Sequence, residues 1–283
     1  MTAIRRRGLD WLLNAYAGLA LIYLLVPIAV IAVFSFAETP RDRLDFSLSG
    51  GFTLEYWQHA FSNQELTDAL FTSLRLALLA TIASTAIGTL MALALVRYDF
   101  FGRRSANLLI ILPMATPEIV MGASLLSLFI FYSAPLGLTT LLIAHIMFSI
   151  SFVVVVVRSR LIGFDRSIEE AARDLGATPV QTFRYVTLPL VAPAILAAAL
   201  LAFALSIDDF VISNFNSGTT VTFPLYVYGV ALRGIPVQVN VLATILFVVT
   251  TIAIVLVIVQ QSRAERMTAV QPDPEIRAVP QAA

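Results

Sequence analysis

Long apolar stretches alternate with short polar ones along most of this chain. Six of the apolar stretches are close to the roughly 20 residues that a helix needs to cross the hydrocarbon core of a bilayer. They are Ala15–Phe36, Ala69–Val96, Ala106–Tyr132, Leu138–Val157, Leu190–Ile212 and Val237–Val259. The pattern predicts an all-α polytopic membrane protein with six transmembrane helices.

The composition also favours a membrane protein. Of the 283 residues, 59% are hydrophobic and 13% are charged, whereas about 25% of the residues in a typical soluble domain are charged. The first apolar stretch follows a run of arginines, as in a signal sequence, but it is long enough to indicate an uncleaved first span. The formal net charge of +0 gives no polybasic character that would favour nucleic acid as a partner.

The basic residues lie mostly on one side of the predicted membrane. All 18 are arginines, and most fall in the two termini and in the loops on the same side as the termini. Because cytoplasmic loops hold an excess of Lys and Arg, both termini are predicted to be cytoplasmic. The expected organisation is a cytoplasmic N-terminus (1–14), a transmembrane domain (15–261) whose largest cytoplasmic loop is 158–189, and a disordered cytoplasmic tail (262–283).

The largest cytoplasmic loop contains the segment SIEEAARDLGATPVQTFRYVTLP, residues 167–189. Ser167 and Glu170 have the spacing of a capping box, which predicts a helix start. Gly176 is placed to end that helix. Thr178 and Gln181 form a second capping box, with a proline at the first helical position. The segment therefore predicts a short helix, a sharp turn and a second helix.

The first of these helices carries a short apolar stripe formed by Ile168, Ala171, Ala172 and Leu175. A helix of two turns is not stable alone in water and has to pack against another surface. That surface could belong to the same chain, which would make the segment a simple elbow between spans. It could equally belong to a partner protein, and the pattern alone does not distinguish the two.

The same segment resembles the EAA loop of permease subunits of binding-protein-dependent ABC importers. The pattern of that loop is EAA, three residues, Gly, nine residues, Ile, one residue and Leu-Pro, and Val186 stands here where Ile is usual. In that family the loop forms the coupling helix that seats in a groove of the ATPase subunit. The resemblance implies ATPase-coupling roles for Glu169, Glu170, Ala171, Ala172, Asp174, Gly176, Leu188 and Pro189.

Other segments resemble the spermidine/putrescine branch of these permeases. They are GFTLEYWQHAF, LPMATPEIVMGASLL and SIDDFVISNFNSGTTVTFPLYVYGVALRGIPVQVNVLATIL. The resemblance implies a MetI-like permease fold in the bacterial inner membrane. It also implies a path for a polyamine or a similar small organic cation, and as partners two ATP-binding subunits, a second homologous permease and an extracytoplasmic substrate-binding protein. Relatives that carry opines, amino-acid derivatives or metal chelates share much of the pattern.

The chain lacks the residues for its own ATPase or for a familiar catalytic site. A phosphate-binding P-loop needs a lysine, and the sequence contains no lysine and no cysteine. ATP and magnesium are therefore expected on a partner ATPase, with no cofactor on this chain. A membrane-embedded enzyme and a self-contained secondary transporter remain as alternatives. The former needs a catalytic constellation that the two isolated histidines do not provide.

Ionisable residues inside membrane spans are costly and are candidates for function by default. Arg75, Glu118 and His145 are such residues, and a count of about 1.5 Å per helical residue places them at similar depths. One interpretation is an Arg75–Glu118 ion pair that holds helices together. The other places Glu118 in a cation path, because Pro113 and Pro117 should break the helix beside it.

A second group of candidates lies near the outer end of the predicted fifth span. Asp208 and Asp209 precede a polar stretch that is expected to be a loop. These acids can be ordinary interfacial charges, or they can form an outer gate for a cation. Tyr226 and Tyr228 could add contacts between a cation and their rings.

Overall fold

The computed structural model describes residues 2–38, 50–231 and 233–269. The described chain is helical almost throughout, and an isolated antiparallel bridge joins Ala37 to Phe52. The helices are α1 (Thr2–Phe34), α2 (Glu55–Gln58), α3 (Gln64–Arg97), α4 (Arg103–Ala115), α5 (Glu118–Phe131), α6 (Leu138–Ile162), α7 (Ser167–Asp174), α8 (Pro179–Thr182), α9 (Leu188–Ile207), α10 (Val211–Asn216), α11 (Phe223–Ala231) and α12 (Val237–Ala269). A π-helical turn, Phe183–Thr187, joins α8 to α9.

The helices that are long and apolar enough to cross a membrane agree with the predicted spans. Five are continuous: Leu13–Phe34, Gln64–Arg97, Leu138–Ile162, Pro179–Ile207 and Val237–Val257. The remaining predicted span, the third along the chain, corresponds to the pair α4 and α5, which meet at an angle of 112°. The predicted all-α membrane architecture is confirmed, with one of the six spans bent sharply rather than straight.

The bend occurs where the two prolines predicted a break. Helix α4 ends at Ala115, and α5 begins at Glu118 directly after Pro117. A proline disfavours helical geometry in the residue before it, and Thr116 is accordingly extended. The Leu112 carbonyl, left near the break, accepts bonds from the Thr116 backbone N–H at 2.9 Å and the Thr116 hydroxyl at 2.7 Å.

Three boundaries differ from the sequence prediction. The fifth span begins at Pro179 and ends at Ile207, so it starts within the predicted cytoplasmic loop. The polar stretch after it is not a loop, because residues 211–216 form α10. Helix α12 continues to Ala269, so residues 262–269 are helical instead of disordered, and the remainder of the predicted tail (270–283) lies outside the described residues.

The chain divides into two compact units, 34–239 and 1–33 with 240–283. In the first unit, α3, α6 and α9 pack against one another. Gly88 allows α3 to approach α6 closely, since an added Cβ would lie 2.7 Å from Val153. Small residues commonly permit such close packing of membrane helices. The core that these helices share with α4 consists of Ala92, Leu95, Ile110, Val153, Val154, Val157, Leu161, Val191, Ala198 and Ala202.

A second apolar cluster lies where α10 packs on α5 and α6. It consists of Met121, Leu125, Phe129, Ala144, Phe148 and Ile212. The buried Asn216 side chain donates to the Gly122 carbonyl at 3.2 Å, and the Thr140 hydroxyl lies 2.8 Å from the Asn216 carbonyl. These bonds fix α10 against the two spans. The second unit contains, within the described residues, α1 to Val33 and α12 from Asn240.

Candidate functional site: coupling segment and membrane polar groups

Helix α7 starts one residue away from the predicted arrangement. The predicted capping box of Ser167 and Glu170 is wrong, because Ser167 is already helical and the N-cap is Arg166 without a side-chain capping bond. The start is instead stabilised by Asp165, whose Oδ1 accepts from the Ser167 backbone N–H at 2.9 Å. Hydrogen bonds from the backbone and side chain of Ser167 lower the pKa of the exposed Asp165 carboxyl below its ordinary value.

The end of α7 is a Schellman turn. Gly176 has a φ of 87°, which is the left-handed conformation expected of it,. Its N–H donates to the Arg173 carbonyl at 2.9 Å, and the Ala177 N–H donates to the Ala172 carbonyl at 3.1 Å. These two bonds satisfy carbonyls that the helix end would otherwise leave unpaired.

The predicted start of the second helix is confirmed. The Thr178 backbone N–H donates to Gln181 Oε1 at 2.8 Å, and the Gln181 N–H donates to the Thr178 hydroxyl at 3.4 Å. The sequence analysis missed the π-helical turn that follows. Pro189 has no N–H and its ring would clash with a carbonyl of the preceding turn, so the wider π turn before it accommodates the proline.

The apolar stripe of α7 faces away from the rest of the described chain. Ile168 is 46% exposed and Leu175 is 89% exposed. Ala171 is also exposed, while Ala172 is half-buried. An elbow that packs its own apolar stripe would bury these residues. The described part of the chain does not cover them, so the elbow interpretation does not account for the stripe.

Glu169 points in the opposite direction and is the one buried residue of α7. Its carboxylate forms an ion pair with the Arg97 guanidinium and accepts from the Thr187 hydroxyl. Arg97 is the last residue of α3, and Thr187 ends the π turn before α9. A second arginine, Arg166, donates to the Val96 carbonyl at 3.0 Å. We call the contact of Glu169, Arg97 and Thr187 the bracket.

The bracket keeps Glu169 ionised. Burial by itself would raise the pKa of Glu169. The hydrogen bonds from Thr187 and Arg97, together with the positive charges of Arg97 and Arg173, outweigh burial and lower the pKa below its ordinary value,.

The other predicted coupling residues stay at the surface. Glu170 and Asp174 are exposed, and neither side chain forms an ion pair or hydrogen bond within the described residues. Gly176, Leu188 and Pro189 are exposed as well. Glu169 and Glu170 are therefore adjacent carboxylates with opposite environments, one inside the chain and one available to a partner.

The Arg75–Glu118 ion pair, one of the two interpretations of these charges, does not occur among the described residues. Within the described residues the ion pairs are Arg97–Glu169, Arg103–Asp99 and the His145–Asp209 contact. Arg75 and Glu118 are both exposed. Glu118 is the first residue of α5, where a carboxylate is favoured by the helix dipole,. The two charges had been matched by depth alone, which does not determine the faces on which they lie.

His145 is buried among polar side chains. It is 2% exposed, and its Nδ1 lies 2.7 Å from the Ser206 hydroxyl and its Nε2 3.0 Å from the Ser213 hydroxyl. The Asp209 carboxylate is 3.5 Å from Nε2. His145 therefore belongs to a buried cluster that joins α6 to the end of α9 and to α10.

Asp208 and Asp209 have different roles in the fold. The Asp209 side chain is 5% exposed and accepts from the backbone N–H groups of Ile212 at 3.2 Å and Ser213 at 2.7 Å. It caps α10 and is not available to a passing cation. Asp208 is exposed and lies within electrostatic range of both Asp209 and Glu118. The charge of Glu118 thus acts on Asp208, whereas no ion pair joins Glu118 to Arg75 in the described residues.

Tyr226 and Tyr228 also lie in different environments. Tyr226 is 8% exposed, and its hydroxyl accepts from the Asn63 side chain at 3.1 Å. Within the described residues its side chain is therefore packed in the fold, and its ring is not open to a passing cation. Tyr228 is 62% exposed, and its ring lies 4.7 Å from that of Phe210, which follows the two aspartates.

A groove along α3 was missed by the sequence analysis. Thr81, Thr85 and Thr89 line an apolar cavity of about 510 Å³ together with Phe183 and Leu188. The three threonine hydroxyl oxygens are buried and have no hydrogen-bond partner in the described chain. The four-residue spacing of the threonines places them on one helix face, which is a signal that the sequence did contain.

The chain is similar to known transport proteins over most of its length. The family model described as "binding-protein-dependent transport system inner membrane component" matches residues 84–264. The chain is 38% identical over 247 residues to the spermidine/putrescine transport system permease protein PotC of Haemophilus influenzae, covering 87% of this chain and 95% of that protein. It is 35% identical over 232 residues to the putrescine transport system permease protein PotI of Escherichia coli K12, with 79% and 81% covered.

Solved structures resemble the fold at lower sequence identity. A chain of a bacterial ABC transporter that imports the acidic polysaccharide alginate has a TM-score of 0.63 and 19% identity, covering 92% of this chain and 98% of that chain. A chain of the methionine ABC transporter MetNI in an inward-facing conformation has a TM-score of 0.54 and 18% identity, covering 73% and 96%. These likenesses confirm the predicted MetI-like permease fold.

Proposed function

Because the chain belongs to the inner-membrane components of binding-protein-dependent transport systems, we propose that it forms part of the path by which such a system imports a polyamine or a similar small organic cation. The chain is a transport subunit and not an enzyme. The polyamine assignment is supported by the names of its relatives at 35–40% identity. The exposed stripe of α7 is the observation that carries the coupling role.

The proposed complex contains two ATP-binding subunits, a second homologous permease and an extracytoplasmic substrate-binding protein. ATP and magnesium bind to the ATP-binding subunits, since this chain has no lysine for a P-loop,. Both termini and α7 are cytoplasmic in this proposal, in agreement with the arginine distribution. The unpartnered Thr81, Thr85 and Thr89 hydroxyls fit a face that the second permease or a water-filled path covers,.

Helix α7 is the proposed contact with an ATP-binding subunit. Its stripe presents Ile168 and Leu175 outward with the small Ala171 between them. Exposed apolar side chains rimmed by Glu170 and Asp174 are typical of an interaction surface. When the ATP-binding subunits close on ATP, α7 moves with them and alternates the access of the path.

The proposed cation path includes Glu118, Asp208 and Tyr228. Two carboxylates in electrostatic range repel each other, and a cation between them relieves that repulsion. The exposed Tyr228 ring lies tilted against Phe210, which follows Asp208 and Asp209 in the chain, and can contact an ammonium group,. Charged side chains at membrane depth are costly in lipid, which favours a water-filled path in front of Glu118.

ATP-driven uptake into proteoliposomes tests this function. The purified complex with its binding protein is given labelled spermidine or putrescine, and wild type is compared with Glu118→Gln. A charge-assisted contact contributes about 1.5–3 kcal/mol, so uptake at low substrate concentration should fall by about ten- to a hundredfold. Asp99→Asn is the control, because Asp99 is an exposed carboxylate outside the proposed path.

The outcomes separate the alternatives. Uptake by this chain without the ATP-binding subunits would overturn the importer assignment in favour of a secondary transporter. ATP-dependent uptake that is competed by an opine, an amino-acid derivative or a metal chelate, with no uptake of polyamines, would overturn the substrate class alone.

A further inference from the structure

The bracket connects α7 to two membrane spans through a single buried carboxylate. We propose that Glu169 is a positioning residue whose contacts with Arg97 and Thr187 transmit the movement of a docked α7 to α3 and α9. This inference rests on the proposed docking of α7 to an ATP-binding subunit. It assigns Glu169 a role different from that of its neighbour Glu170.

The bracket attaches α7 to two membrane spans through the residue that α7 buries. Glu169 is the one side chain that α7 buries, whereas the apolar stripe faces outward. A helix of eight residues does not hold its position by its own stability. The position of α7 therefore depends on the polar contacts on its inner side, to which Arg166 adds its bond with the Val96 carbonyl.

The partners of Glu169 lie on two spans that pack together, Arg97 at the end of one and Thr187 inside the other. Arg97 ends α3, and Thr187 immediately precedes α9. Helices α3 and α9 are in contact along their lengths and share a core with α6. A displacement of Glu169 is thus applied to both spans at once. The Arg97 guanidinium also lies 3.5 Å from the Thr187 hydroxyl, so the three groups form a closed triangle.

The burial of the bracket makes it sensitive to small changes. Thr187 is fully buried, and Glu169 is 6% exposed. Removing one partner of a buried charge leaves the other uncompensated, and α7 then has no fixed position relative to the spans. The surface carboxylate of Glu170 has no such intramolecular partner within the described residues. Loss of the Glu170 carboxylate should weaken docking of the ATP-binding subunit and leave the attachment of α7 to the spans unchanged.

The experiment measures coupling separately from assembly. The complete complex is purified, and three quantities are recorded for each variant: the amount of ATP-binding subunit that co-purifies, the ATP hydrolysis rate, and the substrate taken up per ATP hydrolysed. For Glu169→Gln we expect normal co-purification and continued ATP hydrolysis. The uptake per ATP should fall at least about fivefold, the lower end of couplings between linked sites.

Thr187 offers a matched pair of variants. Thr187→Val has nearly the same shape but lacks the hydroxyl that Glu169 binds, whereas Thr187→Ser retains it. We expect reduced uptake per ATP for the valine variant and near wild-type coupling for the serine variant. If Glu169→Gln does not accumulate in the membrane, this pair still tests the bracket, because a purely steric role would be served better by valine.

Two results would overturn the inference. One is unchanged uptake per ATP in Glu169→Gln and Thr187→Val with the ATP-binding subunit bound. The other is loss of the ATP-binding subunit in Glu169→Gln to the same extent as in Glu170→Arg, which would make Glu169 a docking residue. If wild-type uptake does not depend on ATP at all, the proposed function fails, which is distinguishable from failure of the bracket.

Discussion

The bracket under α7 and the His145 cluster are two buried polar groupings that each bury one acid of an adjacent pair, the first beside a surface helix and the second between membrane helices. In the bracket, Glu169 connects a surface helix to two membrane spans and leaves the neighbouring Glu170 exposed. In the His145 cluster, Asp209 is buried as a cap for α10 and leaves the neighbouring Asp208 exposed. In each pair one acid is buried and bonded within the chain, and the other is exposed. Adjacent residues of the same type thus lie in opposite environments.

The largest expected effect comes from charge reversal on the exposed side of α7. Glu170→Arg places a positive charge in the proposed docking surface, where a central residue can be worth 2 kcal/mol or more, roughly thirtyfold in affinity. We expect the ATP-binding subunit to be lost during purification and uptake to fall to background. Glu65→Arg, an exposed site in the first turn of α3, is the control. If the Glu170→Arg complex retained the ATP-binding subunit, Glu170 would not be a docking residue, and its proposed difference from Glu169 would be contradicted.

Truncation of His145 should mainly lower stability. His145→Ala leaves a cavity and removes both serine contacts and the neighbour of Asp209, so we expect a loss of about 2–4 kcal/mol in the free energy of unfolding. Thermal unfolding of the purified complex in detergent measures it. An unchanged melting temperature with abolished uptake would instead place His145 in the transport path.

Asp208 and Asp209 test the difference between an exposed and a buried acid at adjacent positions. Asp209→Asn weakens the cap of α10 and should cost about 1 kcal/mol of stability, with uptake reduced in proportion to the folded protein. Asp208→Asn should leave the melting temperature unchanged and reduce uptake of the cation at low substrate concentration. Melting curves and uptake of the two variants, measured side by side, provide the test. The reverse assignment of the two effects would contradict the interpretation.

The bracket also predicts a pH dependence. The pKa of Glu169 is lowered from an ordinary value of 4.5, so its stabilising effect is fully present above that value and is lost as the pH falls through the lowered pKa. The difference in melting temperature between wild type and Glu169→Gln should be constant from pH 7 to about pH 5 and shrink at more acidic pH. A difference in melting temperature that grows on acidification would show that the pKa of Glu169 is not lowered in the folded protein.

The smallest expected effect concerns Tyr226. Tyr226→Phe removes the hydroxyl that accepts from Asn63, which should cost about 1 kcal/mol of stability,. Uptake by the folded protein should be unchanged, whereas Tyr228→Ala should reduce it. A comparable loss of uptake in Tyr226→Phe, measured on equal amounts of folded complex, would return Tyr226 to the substrate path.

The sequence by itself determined the features that depend on neighbouring residues. The apolar runs located the spans, the prolines located the break before Glu118, and Gly176 located the end of α7, because hydrophobic length and backbone geometry are local properties. The resemblance of the EAA segment led to the family for the same reason, since its pattern lies within one short stretch.

Tertiary structure alone decided which side chains meet. Glu169 reaches Arg97 across 72 residues, and His145 reaches Ser206 across 61. Depth along a helix could be counted from the sequence, but the rotation of each helix about its axis could not, so depth alone did not decide between the two interpretations of Arg75 and Glu118. Rotation is set by how the helices pack. On α7, the contacts of Glu169 with Arg97 and Thr187 hold that side chain inward and leave Glu170 facing outward.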